Sequence, residues 1–169
     1  MRSAPCAREA FCPETETGRC PLKDVPPEAV NFIRDDETYV RMVHETHWVD
    51  GKADKTALTL EMIAKGASGN RVEMLTAGKY ADVVAARTGT AGFFTVSVKE
   101  VRDLHIDATP DAGFLFCPLQ SGAHPETHAD LRFRTKFTGK KPPQSWRSLR
   151  DKLSLACKSH ATPAGIFAS

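Results

Sequence analysis

Leu131-Arg132-Phe133-Arg134-Thr135-Lys136-Phe137 sets Leu131, Phe133, Thr135 and Phe137 against Arg132, Arg134 and Lys136. A period of two sends alternate side chains to opposite faces of an extended chain. The stretch therefore predicts a half-buried β-strand with one basic face. A charged face of this kind also protects a strand against edge-to-edge aggregation. The expected fold must supply a sheet for the apolar face and leave the basic face wet.

Other strands follow from neighbouring patterns. Gly113–Leu119 is apolar on both faces and predicts a central strand. Phe93–Val98 is the clearest extended segment, and Thr38–Val49 is rich in β-branched and aromatic residues. Asp50-Gly51 suits a tight turn, although the polar run to Thr56 suggests a longer loop. Ala57–Ala64 alternates well enough for a strand with Leu58, Leu60 and Met62 on one side; a helix is the competing reading. Gly66–Asn70 reads as a loop and Arg71–Leu75 as a short extended piece.

Helical spacing is equally visible. Gly78–Thr88 places Tyr80, Val83, Val84 and Arg87 on one stripe, with Gly89 as a stop. Val98–Leu104 predicts a short helix with Val101 and Leu104 inward. Ser145–Lys158 is the strongest helix: Ser145 suits the cap, and Trp146, Leu149, Leu153, Ala156 and Cys157 share a face. Strands and helices alternate irregularly, which predicts an α+β fold, a compact mixed small sheet with two or three helices. Residues 1–30 read as a poorly ordered leader holding Pro5, Pro13, Pro21, Pro26 and Pro27, although Pro26 to Ile33 could open one helical turn. Residues 31–159 form the domain, and 160–169 a flexible tail.

A chain of 169 residues buries about two-thirds of its unfolded surface and needs no disulfide or metal for stability. Arg2, Arg8 and Glu9 interrupt any apolar stretch near the start, so a secretory signal is not expected. The longest apolar runs are too short to cross a bilayer. These features predict a cytoplasmic protein with no membrane contact and reduced thiols.

Charge is distributed unevenly. Residues 130–158 hold nine Lys and Arg against Asp130 and Asp151, a net of +7, which leaves −5 for the rest of a chain whose total is +2. Such asymmetry favours an anionic partner. The expected contact surface is Arg132, Arg134, Lys136, Lys140 and Lys141, with Trp146 available for stacking. The function expected first is a non-catalytic binding or accessory protein that uses this surface against an acidic protein partner. Nucleic-acid binding is a further alternative, marked by affinity that falls steeply with salt.

An enzymatic alternative rests on histidines. His44 with His47, and His124 with His128, form two clusters, and a site joining one from each is a candidate for metal binding or hydrolysis. On a continuous strand His44 and His47 would point to opposite faces. Cys6, Cys12, Cys20 and Cys117 with His124 and His128 are the candidate ligands, and zinc the candidate metal. The gaps between the leading cysteines are wider than the paired knuckle that structural zinc prefers, so free thiols are the favoured reading. His44-Glu45-Thr46 fits the His-x-Thr pattern of two-histidine phosphoesterases, but the only second copy, His128-Ala129-Asp130, replaces the hydroxyl with a repelling carboxylate. No Gly-rich phosphate loop and no nucleophile elbow is present.

Tyr39-Val40-Arg41-Met42-Val43-His44-Glu45-Thr46-His47-Trp48-Val49-Asp50-Gly51-Lys52 resembles the opening of a group of small bacterial proteins with no established activity. There an aromatic-x-Arg-x-x-His segment precedes a Trp and an Asp-Gly turn, and His124–Leu131 resembles the group's second half. The resemblance spans about residues 38–131. It implies a bacterial source and a self-contained domain, and it marks Arg41, His44, His47 and Trp48 as a candidate pocket.

Overall fold

A computed structural model describes residues 33–107, 109–117, 124–134 and 141–166. The expected leader, with Cys6, Cys12 and Cys20, lies outside these residues, as do Lys136 and Lys140.

Nine strands and four helices are present among them. β1 (Thr38–His44) runs inside the sheet, flanked by β4 (Ala67–Arg71), the central strand, and β5 (Thr90–Ser97). β8 (His128–Phe133) pairs with the far side of β4, followed by β7 (Thr109–Cys117) and the two-residue β6 (His105–Ile106). β9 (Lys158–His160) closes the other edge beside β5. Every pairing in this seven-stranded sheet is antiparallel. The α+β expectation is borne out; the sheet is larger than expected, and α1 (Leu60–Lys65), α2 (Ala77–Ala85), α3 (Val98–Asp103) and α4 (Arg147–Ala156) make four helices.

Each face of the sheet buries its own cluster. On one side Tyr39, Val43, Phe94, Phe114, Phe116, Leu131 and Phe133 meet Ile63 of α1, Val101 of α3, and Leu149 and Leu153 of α4. Full burial of each such side chain contributes about 1.5–3 kcal/mol. On the other side Val40 and Phe93 meet Tyr80, Val83 and Val84 of α2. The alternation in β8 appears as expected: Leu131 and Phe133 are buried, while Arg132 and Arg134 are half-buried.

Several local expectations are corrected. Ala57–Ala64 is not a strand: Thr59 accepts from the Met62 N–H at 3.1 Å and starts α1, which buries Ile63. Gly66–Asn70 is no loop, because Ala67–Arg71 is the strand joining the two halves of the sheet. A strand here needs Gly69, since Tyr39 lies directly over it. Asp50 (φ 50) and Gly51 (φ 75) make a two-residue turn between β2 (Trp48–Val49) and β3 (Lys52–Ala53), shorter than expected. Ser145 does not cap α4; the helix is reached through a 3₁₀ turn, Gln144–Trp146, and the Ser145 carbonyl accepts from the Ser148 hydroxyl. The tail expected from residue 160 starts inside β9, where His160 Nε2 lies 2.9 Å from the Thr95 hydroxyl.

Gly69 gives a direct test of this centre. A Cβ there would lie 2.4 Å from two carbons of the Tyr39 ring. That ring cannot retreat: its hydroxyl donates to the Ala67 carbonyl at 2.8 Å, and its centroid is 5.2 Å from that of Phe116. Gly69→Ala is expected to cost about 1–3 kcal/mol, the usual penalty of overpacking. Urea unfolding should show a lower midpoint with an unchanged slope. An unchanged midpoint would remove Tyr39 as the reason for glycine here.

Candidate ligand-binding cleft

β1 ends in an irregular step that shapes the candidate site. Its register with β5 runs smoothly to Val43 opposite Gly92, then skips Ala91 so that His44 pairs with Thr90. Such a bulge bends a strand and re-aims its side chains. His44 then heads a 3₁₀ turn, Glu45–His47, and its Nδ1 accepts from the Thr46 N–H at 3.2 Å. The turn overrides strand parity. His44 and His47, expected on opposite faces, both line one cleft of about 220 Å³ with Arg41, Met42, Val43, Ala57, Met62, Arg87, Thr88 and Thr90.

The two imidazoles are held differently. A backbone N–H can only donate, so Nδ1 of neutral His44 is the acceptor and its proton sits on Nε2. That Nε2 rests over Gly89 (φ 74), where a Cβ would come within 2.5 Å of it. Glycine is required there by both the backbone angle and the ring. His47 Nδ1 lies 2.9 Å from the Thr56 hydroxyl. Hydrogen bonds from the Thr56 N–H and hydroxyl hold the Asp54 carboxyl below the usual aspartate value. With its proton on Asp54, the Thr56 hydroxyl accepts from His47 Nδ1, which leaves Nε2 of neutral His47 as an acceptor.

The cations of the cleft have no acidic partner among the described residues. Arg41 donates Nη1 to the Ser68 carbonyl. Among the described residues neither Arg41 nor Arg87 has a carboxylate within salt-bridge distance, and no acidic side chain lines the cleft. Trp48 fixes the adjoining hairpin by lying over Gly92, where a Cβ would come within 2.3 Å of the indole. Of the expected pocket residues, Arg41, His44 and His47 converge, and Trp48 supports them. Arg87 was read only as a position at helical spacing in Gly78–Thr88; its signal was a cation just past a helix end with no acidic residue three or four positions away.

The second histidine cluster stands apart, and neither His124 nor His128 lines the cleft. His124 Nε2 lies 2.7 Å from Asp82 Oδ2 on α2. His128 Nε2 lies 3.1 Å from Asp130 Oδ1 and 3.3 Å from the Ser68 hydroxyl. Both neighbours meet the same ring nitrogen, so this Ser-His-Asp group cannot relay a proton from the hydroxyl to the carboxylate. Burial would raise the Asp130 carboxyl, but hydrogen bonds from His128 and Arg132 outweigh it and hold the group below the usual carboxylate range. The two histidine clusters thus line no common cleft among the described residues.

Of the expected zinc ligands, Cys6, Cys12 and Cys20 lie outside the described residues. Among the described residues no three His, Cys, Asp or Glu gather closely enough to hold a metal ion. Cys117 is buried in β7, and burial pushes the Cys157 thiol up to about 12. Among the described residues no helix is long and apolar enough to cross a membrane.

Of the expected basic surface, the described arginines and Trp146 make contacts within the protein. Arg132 Nη2 lies 3.0 Å from Asp130 Oδ2. Arg134 donates to the Phe114 carbonyl at 3.1 Å and the Arg102 carbonyl at 2.8 Å, tying β8 to β7 and α3. Trp146 is only 6% exposed and meets Phe133 edge-on at 5.1 Å. Of that contact set, only Lys141 is fully open to solvent among the described residues.

No family model, no curated protein and no solved structure matches this chain. The likeness to small bacterial proteins thus rests on the residues quoted for it.

Proposed function

We propose that the protein is a non-catalytic binding protein that captures a small anionic ligand in the cleft of Arg41, His44, His47 and Arg87. The observation that carries this is two guanidinium groups and the His44 imidazole at one cleft, with no carboxylate among its described lining residues. Like charges brought together out of bulk water repel, and an anion relieves that repulsion while accepting charge-assisted hydrogen bonds. This keeps the class of function expected from the charge asymmetry but moves the contact away from Arg132 to Lys141.

Arg87 provides the test, because it is exposed and its guanidinium makes no hydrogen bond among the described residues. A hydrogen bond to a charged group is worth about 1.5–3 kcal/mol, so Arg87→Ala is expected to weaken inorganic phosphate by roughly ten- to a hundredfold. Calorimetric titration of both proteins measures this. Affinity should fall with added salt, since the contacts are between charges. Absence of phosphate binding, or equal binding by the variant, would refute the proposal.

A further inference from the structure

We infer that the ligand is a phosphate monoester of a small molecule carrying a compact apolar group, an inference that rests on the anion-binding reading of the same cleft. Charge is the first reason. Arg41 and Arg87 are cationic at every relevant pH, and a neutral His44 still offers an Nε2–H donor. A carboxylate brings one negative charge to two guanidinium groups. A phosphate monoester brings nearly two and three acceptor oxygens, enough for both forks and the imidazole together.

Shape is the second reason. The lining is mixed: Met42, Val43, Ala57 and Met62 line the cleft together with the cations and the two threonines. An inorganic anion gains nothing from that apolar lining. A volume of about 220 Å³ matches roughly seven water molecules at about 30 Å³ each, more than the five heavy atoms of phosphate fill. The remaining space adjoins two methionines, whose unbranched thioethers adapt to varied apolar shapes. An apolar group displaced from water into that space adds affinity that free phosphate cannot obtain.

The experiment is calorimetric titration of the full chain with three probes: inorganic phosphate, phenyl phosphate and benzoate. Phenyl phosphate is expected to bind at least about tenfold more tightly than either of the others, given the apolar area it removes from water. Met62→Gln keeps the length of the side chain and makes its end polar. It should abolish most of the phenyl advantage, read as the ratio of phenyl phosphate to inorganic phosphate affinity in the same variant. Equal affinity for phosphate and phenyl phosphate would overturn the apolar half of the inference while anion binding stands. Benzoate binding as tightly as phenyl phosphate would overturn the dianion half. If none of the three binds, the anion-binding reading itself fails. The wild-type comparison decides these outcomes even if the Met62 variant does not fold.

Discussion

Arg71→Met is expected to lower the free energy of unfolding by about 3–5 kcal/mol, the cost of leaving one member of a buried ion pair alone. Arg71 and Glu37 are 3% and 2% exposed, and the guanidinium meets the carboxylate in a fork, with Nε at 2.6 Å from Oε2 and Nη2 at 2.7 Å from Oε1. The pair also organises the backbone. Glu37 Oε1 accepts from the Arg34 N–H at 2.9 Å, and the Glu37 carbonyl accepts from the Val98 N–H at 3.0 Å, where β5 passes into α3. Removing the guanidinium strands a carboxylate where water cannot solvate it. The double variant Glu37→Gln with Arg71→Met removes both charges and should recover part of the loss. Urea denaturation of the three proteins measures both effects. A single variant as stable as the wild type would show that the pair is solvated after all.

Trp146→Ala is expected to cost a similar amount, about 3–5 kcal/mol, because the change empties an aromatic-sized volume from the core. The indole sits against Phe133, which in turn stacks on Phe114 at a centroid distance of 5.4 Å. The cavity would therefore open between α4 and the β7–β8 ladder. Had Trp146 been a stacking platform on a basic surface, its loss would spare stability and weaken binding. The buried position reverses that expectation: thermal unfolding should fall sharply, while the folded protein should bind phosphate as the wild type does. Retained stability would return Trp146 to the surface.

Legibility in the sequence followed how much each segment's pattern owes to its own burial. β5, β8, α2 and α3 were visible because each carries an apolar stripe of the right period. β4 was invisible because Ala-Ser-Gly-Asn-Arg has the chemistry of a loop. Its extended form is imposed by neighbours on both sides, and its small residues are what the Tyr39 ring requires. α1 was misread because Leu58, Leu60 and Met62 alternate, yet the fully buried residue is Ile63 and Glu61–Lys65 pair across one turn at 3.0 Å. Arg41, His44 and His47 were singled out together, and all three line the cleft. The parity argument that separated the two histidines assumed an unbroken strand, and the bulge at Ala91 with the following 3₁₀ turn removed that assumption. The charge excess of the last third was real, but a sum over sequence does not show which guanidinium groups are already spent on backbone carbonyls.

The order of the strands in the sheet also governs how the chain can be made. Its ladders join residues 38–44 with 90–97, 67–70 with 128–131, and 93–95 with 158–160. A ribosome delivers these partners in sequence, at about 5–20 residues per second. Between the last residue of β5 and the first of β9 the nascent chain therefore spends roughly 3–12 s with one side of β5 open, and Leu149 and Leu153 arrive only late in that interval. Until then Tyr39 and Phe94 have only the cover that α1 and α3 supply, and the apolar face they share with Leu149 and Leu153 stays open to water.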